Sequence, residues 1–254
     1  MTEMSRKRKR TRLLAALCAL LLTACLAPAA DQRDWAQQRA RMVEQTMAHP
    51  RDARDPVRDP RVLRALRRVP RHEFVPAPLR SAAYQDRPLP IGNDQTISQP
   101  YMVAKMTELL RPQPGHRVLE VGTGSGYQAA VLAVLVKDVY TIEIVAPLAE
   151  QARQRLERLG YANVHVRAGD GYLGWPEAAP FDSIVVTAGA THLPPPLLEQ
   201  LKPGGRMVIP LGQPPYGLEL RVVHRGKTPQ DLRIERIMPV AFVPLTGGHE
   251  KPKQ

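Results

Sequence analysis

At 254 residues and 43% hydrophobic content, the chain can bury a sizeable core as one domain or two small ones, and its prolines punctuate elements rather than forming one disordered tract. Its formal charge of +12 is partly N-terminal: Arg6, Lys7, Arg8, Lys9, Arg10 and Arg12 stand against Glu3, yet the remaining 30 bases and 23 acids still favour acidic or carboxylate-bearing partners. An aromatic content of 5% argues against a base-stacking nucleic-acid platform, and two cysteines leave no Cys-based metal site or disulfide scaffold.

The basic run opens a targeting candidate over residues 1–30. Uncharged residues 13–24 follow it, then Cys25, and Leu22-Thr23-Ala24-Cys25 resembles the bacterial lipoprotein signal, in which the cysteine is acylated and everything before it is removed. Two other readings stay open. Residues 13–30 carry no charge and could remain as an uncleaved anchor, although Pro28 and the small residues count against that. Alternatively, the true start lies downstream.

Trp35, Arg39, Val43 and Met47 recur at helical spacing, which predicts an amphipathic helix over residues 36–47. A charged loop, 49–59, leads to Asp59-Pro60, an N-cap and first-turn proline for a helix carrying Val62, Leu63, Leu66 and Val69, stopped by Pro70. Residues 74–91 read as loop. After Asn93-Asp94-Gln95-Thr96-Ile97-Ser98-Gln99-Pro100 comes a helix through Met102, Met106, Leu109 and Leu110. Residues 31–111 are therefore expected to form a helical cap, working as one functional unit with an α/β domain over 112–254.

From Arg117 the pattern becomes strand and helix in alternation. Strands are predicted over 118–121, 139–144, 164–168, 183–187 and 206–210, and helices over 127–136, 147–159 (closed by Gly160) and 195–201. Residues 218–223 and 233–243 read as an antiparallel hairpin around Gly226-Lys227. The expected fold is α/β: a doubly wound, mostly parallel, Rossmann-like sheet with an N-terminal helical cap and a C-terminal antiparallel hairpin. An antiparallel finish to such a sheet is typical of class I methyltransferases rather than dehydrogenases, an analogy of fold only.

The first of these strands runs V-L-E-V-G-T-G-S-G-Y, with Gly122, Gly124 and Gly126 at alternate positions after Glu120. Bare backbone there lets a flat ligand come close, although a Gly-rich loop alone is equally a plain tight turn. The spacing is not the dinucleotide fingerprint, which needs Gly where Tyr127 stands, and Glu120 would repel a pyrophosphate. A ligand with a cationic ammonium end and a ribose but no phosphate fits better, and S-adenosylmethionine is such a ligand. Glu143, ending the second strand, could accept from both ribose hydroxyls or be a solvated strand end. Asp170, in Gly169-Asp170-Gly171, could accept from an adenine amino group or simply form a turn. Thr187-Ala188-Gly189-Ala190 leaves room for a substrate. For Ser98 the simplest job is to cap the helix that Pro100 helps to start. No His-x-x-x-His pair, clustered histidines or nucleophile elbow suggests a metal or a catalytic triad.

These residues resemble the protein-L-isoaspartate(D-aspartate) O-methyltransferase family from about residue 57 to 247. The segments that carry the resemblance are R-V-P-R-H-E-F-V-P at 68–76, Pro90-Ile91-Gly92, Q-T-I-S-Q-P-Y-M-V-A at 95–104, the Gly-rich loop, Gly169-Asp170-Gly171, Pro180-Phe181-Asp182 and the tail Phe242-Val243-Pro244-Leu245-Thr246. The resemblance implies transfer of a methyl group from S-adenosylmethionine to the free α-carboxylate of L-isoaspartyl or D-aspartyl residues, whose ester closes to a succinimide and reopens partly as aspartate. It implies that Ser98 is the active-site residue. Thr96, Ile97 and Gln99 would lie against cofactor and substrate, with Glu120, Gly122, Gly124, Gly126, Glu143, Asp170 and Gly171 around the cofactor and Thr246 closing over it. Damaged peptides and proteins are the expected partners of a monomer without metal or nucleic acid, which touches a membrane through the N-terminal segment or a lipid on Cys25. The address is then the cell envelope, against the cytoplasm usual for the family. Asn93-Asp94 departs from a segment usually rich in glycine. Two rivals remain: a nucleic-acid methyltransferase, disfavoured because the fourth strand ends in T-A-G-A, and a tethered binder of altered peptides without turnover.

Overall fold

The computed structural model describes residues 27–50, 52–213 and 217–248. The targeting candidate, both cysteines and His249 lie outside the described residues, and no described helix is long and apolar enough to cross a membrane.

The order of elements explains itself from the patterning. Helix α1 spans Ala27–Met42 and continues as a π-helical turn, Val43–Ala48, whose Val43 and Met47 are buried. The predicted 36–47 helix is therefore the second half of a longer one. Helix α2, Pro60–Arg68, starts as expected, with the Asp59 carboxylate accepting from the Arg61 backbone N–H at 2.8 Å and Pro60 in the first turn. The region read as loop holds 3-10 turns at Arg71–Phe74 and Ala77–Ala82 and then strand β1, Leu89–Gly92, which pairs antiparallel with β2, Gln95–Ile97. Prolines hid this hairpin, since Pro90 sits inside a strand with no central neighbour to satisfy. Its tight turn puts Asn93 and Asp94 at φ of +52° and +55°, left-handed values that Asn and Asp tolerate and glycine adopts freely. The Asn-Asp pair thus adopts left-handed values that a glycine-rich turn would also favour.

Helix α3, Pro100–Leu110, leads into the main sheet: β3 (Arg117–Val121), α4 (Tyr127–Ala133), β4 (Asp138–Glu143), α5 (Ala146–Arg158), β5 (Val164–Ala168), β6 (Phe181–Val186), α6 (Pro195–Gln200), β7 (Leu201–Gly212), β8 (Leu218–Arg225) and β9 (Leu232–Val240). The strand order is β5-β4-β3-β6-β7-β8-β9, parallel from β5 to β7 and antiparallel for the last two pairings. The inner strands are buried on both faces, which is why they read as nearly unbroken apolar runs. Val118, Val185, Val208 and Val222 join one core with the N-terminal helices, α3 and α4, while Leu119, Val121, Ile184 and Ile209 join a second with Leu197 and Leu201. The cap and the sheet therefore share one core. Arg71 adds a polar tie: wholly buried, it donates to the Ala83 carbonyl at 2.8 Å and lies over the Tyr127 ring at 4.9 Å, and burial lowers its pKa to about 10. Edge strand β9 is mostly solvated and carries Arg233, Glu235 and Arg236, charges that discourage pairing with another chain.

Candidate functional site

Strand order reverses between β4 and β6, on either side of β3, and open α/β sheets bind ligands at the strand ends beside such a point. A cavity lies there, open to solvent on one side and lined by the ends of β3 and β4, the residues after β6, residues 95–98 and the tail at 243–246. Its floor is the Gly-rich turn after β3. Gly122 and Thr123 both donate backbone N–H groups to the Ile142 carbonyl, at 2.8 and 3.2 Å, and Gly126 donates back to Thr123 at 2.8 Å. Gly122 has φ +96°, and the Thr187 hydroxyl donates to its carbonyl at 2.6 Å, where any Cβ at Gly122 would collide with that hydroxyl. Gly124 also lines the cavity; Gly126 does not. A Cβ on Gly126 would press on Leu156 at 3.1 Å, so this third glycine serves the packing of α4 against α5.

Two carboxylates share the wall. Glu143, at the end of β4, accepts from the Gly124 N–H at 2.7 Å and from the Val145 N–H at 3.0 Å, one on each oxygen. Each oxygen keeps a second acceptor site, so the strand end is structured rather than solvated and can still receive hydroxyls. Glu120 is different. It is wholly buried within β3, and neither carboxylate oxygen has a hydrogen-bond partner among the described residues. Burial pushes its pKa from 4.5 up to about 8, and the charge of Glu143 pushes the same way. The Thr141 hydroxyl pulls it down, but that group is engaged with Thr123 at 2.6 Å and makes no well-directed bond to the carboxylate. A buried acid with nothing to bind costs stability, and it is satisfied by a donor-rich cation entering the cavity. A phosphate would meet the Glu143 charge instead and offer Glu120 no donor.

The roof comes from outside the sheet. Thr96, Ile97 and Ser98 line it from β2 and the residue after it, and Val243, Pro244, Leu245 and Thr246 line it from the tail. The tail is held by the segment after β6: Gly189 donates to the Val243 carbonyl at 2.7 Å, and Leu245 donates to the Gly189 carbonyl at 2.8 Å. Gly171 completes the wall beside Val121.

Ser98 does not cap α3. The N-cap position is Gln99, without a side-chain cap bond, and the Ser98 hydroxyl is spent on no other described residue. The Tyr101 N–H is taken instead by the Asp86 carboxylate at 2.9 Å. Gln99 does not line the cavity, because its amide donates to that same carboxylate at 2.9 Å. Nor does Asp170: its two oxygens accept from the Tyr172 and Gly248 N–H groups, each at 2.9 Å, so it forms the turn and pins the tail. Sequence reasoning missed Thr123, Ser125, Gln128 and Val145 on the wall. Their position inside the glycine turn, at the start of α4 and just past β4 was the signal that could have found them. Among the described residues no group of three His, Cys, Asp or Glu could hold a metal ion.

Comparison with known proteins gives a consistent result. Residues 42–250 match the family model described as protein-L-isoaspartate(D-aspartate) O-methyltransferase. A protein-L-isoaspartate O-methyltransferase 2 of Syntrophobacter fumaroxidans is 63% identical over 191 residues, covering 75% of this chain and 77% of the relative. A protein-L-isoaspartate O-methyltransferase of Opitutus terrae is 54% identical over 239 residues, 93% of this chain and 97% of the relative. Among solved structures, a protein-L-isoaspartate O-methyltransferase superposes with TM-score 0.67 and 32% identity over 75% of this chain and 62% of that one. A Plasmodium falciparum protein of the same description, in complex with S-adenosyl-L-homocysteine, gives TM-score 0.63 and 25% identity over 74% of this chain and 91% of that one.

Proposed function

The chain belongs to the protein-L-isoaspartate(D-aspartate) O-methyltransferase family, and from that premise we propose how its cavity carries out the reaction. The enzyme methylates the free carboxylate of isoaspartyl residues in damaged proteins, with S-adenosylmethionine as methyl donor. Bound in the cavity, that cofactor supplies an electrophilic methyl on a sulfonium. One observation carries the assignment of roles: an unpartnered buried carboxylate, Glu120, and an uncommitted hydroxyl, Ser98, line the same cavity.

Glu120 would hold the ammonium end of the cofactor and Glu143 its ribose hydroxyls. Gly122 and Gly124 let the cofactor lie against bare backbone, Gly171 leaves the adenine end a flat wall, and Thr246 covers it from the tail. Thr96 and Ile97 form the passage to the substrate. A carboxylate with a pKa of about 4 is already ionised at neutral pH, so no general base is required. The work left to the protein is alignment and partial exclusion of water, and alignment alone is worth roughly 7–11 kcal/mol. Ser98 is assigned to donate a hydrogen bond to the substrate carboxylate and fix its approach, with no covalent role. Methyl transfer to an isoaspartyl peptide, with the matching aspartyl peptide as control, tests the site assignment when repeated on the cavity variants. Turnover and cofactor affinity unchanged by substitution at both Ser98 and Glu120 would overturn it.

The address is a separate proposal. Leu22-Thr23-Ala24-Cys25 supports a lipid anchor that holds a monomeric enzyme at the cell envelope. Palmitate labelling that survives Cys25→Ser would end the lipoprotein idea, fractionation then separates an uncleaved anchor from the cytoplasm, and size-exclusion chromatography reads the oligomeric state.

A further inference from the structure

We propose that Asp86 is a positioning residue for methyl transfer, holding Gln99 and the first turn of α3 so that the Ser98 hydroxyl is left facing the cavity. The proposal rests on the role assigned to Ser98 above.

The first-turn N–H groups of a helix have no partner within it and need an outside acceptor, which a side chain near the start, such as that of Ser98, would otherwise supply. Pro100 has no N–H to offer, so Tyr101 is the first donor that needs an acceptor. Asp86, fifteen positions before Tyr101, supplies it through Oδ1 at 2.9 Å. Its other oxygen receives the Gln99 amide at 2.9 Å, and the Asp86 carbonyl receives the same amide at 3.2 Å. One residue thus fixes the side chain directly after Ser98 and the backbone three residues after it. Ser98 is released from capping because its acceptor role has been taken over.

Asp86 is itself held. Its side chain is only 12% exposed, and the Arg54 guanidinium donates to Oδ2 at 2.5 Å while also gripping Asp52 at 2.7 Å. That guanidinium lies over the Tyr101 ring at 4.6 Å, and the Tyr101 hydroxyl donates to the Asp55 carbonyl at 2.8 Å. The charged loop before α2 is therefore stapled to the start of α3 with Asp86 in the middle. Gln99, which the family resemblance placed against the ligand, faces this staple instead.

The test is steady-state methylation of an isoaspartyl peptide by the full chain, with S-adenosylmethionine affinity measured by calorimetry. Asp86→Ala is expected to lower kcat about 10- to 100-fold, the scale of a misplacement of about 1 Å, while cofactor affinity stays within about twofold of wild type. Gln99→Glu sets a second carboxylate against Asp86 and lowers kcat in the same way. Asp86→Asn still accepts from the Tyr101 N–H through Oδ1 but turns an amide NH2 toward the Gln99 amide, and is expected to lower kcat while peptide KM and cofactor affinity stay near wild type, a split that a purely stabilising role would not produce. Wild-type kcat in folded Asp86→Ala or Asp86→Asn overturns the proposal. Should Asp86→Ala fail to fold, Asp86→Asn and Gln99→Glu decide alone. Ser98→Ala run alongside separates the two ideas: wild-type turnover there removes the Ser98 role and this one with it, whereas lost turnover there with unchanged Asp86→Ala removes this one only.

Discussion

The floor of the cavity is made by strand ends, residues 121–124 and 142–145, whereas its roof is made by two segments outside the sheet, 95–98 and 243–246. The floor's geometry follows from hydrogen-bonded register: β3 pairs with β4 over 117–121 and with β6 over 118–121, and the turn hangs from the Ile142 carbonyl. The roof has no such frame. A two-stranded hairpin, a remote carboxylate and two bonds to Gly189 hold it. On the roles proposed above, ligand affinity belongs to the part fixed by the sheet, and reaction geometry to the part fixed by individual side chains.

The sharpest break in that contrast is Ser98→Ala. Turnover should fall on the order of 10²-fold or more, about 2.7 kcal/mol of transition-state stabilisation, while cofactor affinity measured by calorimetry barely changes. Next is Glu120→Gln, a change in the floor, which should weaken cofactor binding by about 10- to 100-fold, the worth of a charge-assisted bond, and leave kcat at saturation less affected. The same residue sets a pH dependence. With its pKa raised from 4.5 to about 8, the folded ligand-free protein keeps the Glu120 proton across that window while the unfolded chain has lost it. Stability due to this group is therefore highest below about pH 4.5, falls as pH rises to about 8 and is flat beyond. Melting temperatures of wild type and Glu120→Gln should diverge over that range, with the variant gaining. Cofactor binding near pH 7 should release a proton, visible as a dependence of calorimetric heat on buffer ionisation enthalpy, and the variant should lose that dependence.

Glu143→Ala should weaken cofactor binding by roughly tenfold, for one charged acceptor removed, and also leave Gly124 and Val145 N–H groups without their acceptor. The smallest effect belongs to a residue in neither region: Asp59→Ala removes the cap of α2 and should cost about 1 kcal/mol in urea unfolding with methylation unchanged. A comparable loss of activity there would mean that the floor and the roof are not separable in the way described.

Much of the floor was legible in the sequence. Strands β3, β4 and β5 end at or beside a glycine or a carboxylate after an apolar run, and the predicted bounds of β3 to β6 lie within two residues of those observed; β7 and β8 run further than predicted. The roof was much less legible. Hairpin β1–β2 was masked by prolines and by an Asn-Asp turn in place of glycine. The partners that decide what Ser98, Gln99 and Asp170 do are distant: Asp86 is 13 residues from Gln99, and Gly248 is 78 from Asp170. Local propensity gave Ser98 the helix start to cap, and the resemblance set Gln99 against the ligand, whereas the fold gives the Tyr101 N–H and the Gln99 amide to Asp86 and leaves Ser98 unspent. Asp170 kept its turn and gained the tail as well.

The tail bonds between Gly189 and residues 243–245 also order events in time. During synthesis, the strand ends at 121–124 and 142–145 are made about a hundred residues before the segment at 243–246 that covers them. A growing chain therefore passes through a stage in which its half-built pocket stands open to water, and the pocket is complete only once the tail has docked on Gly189.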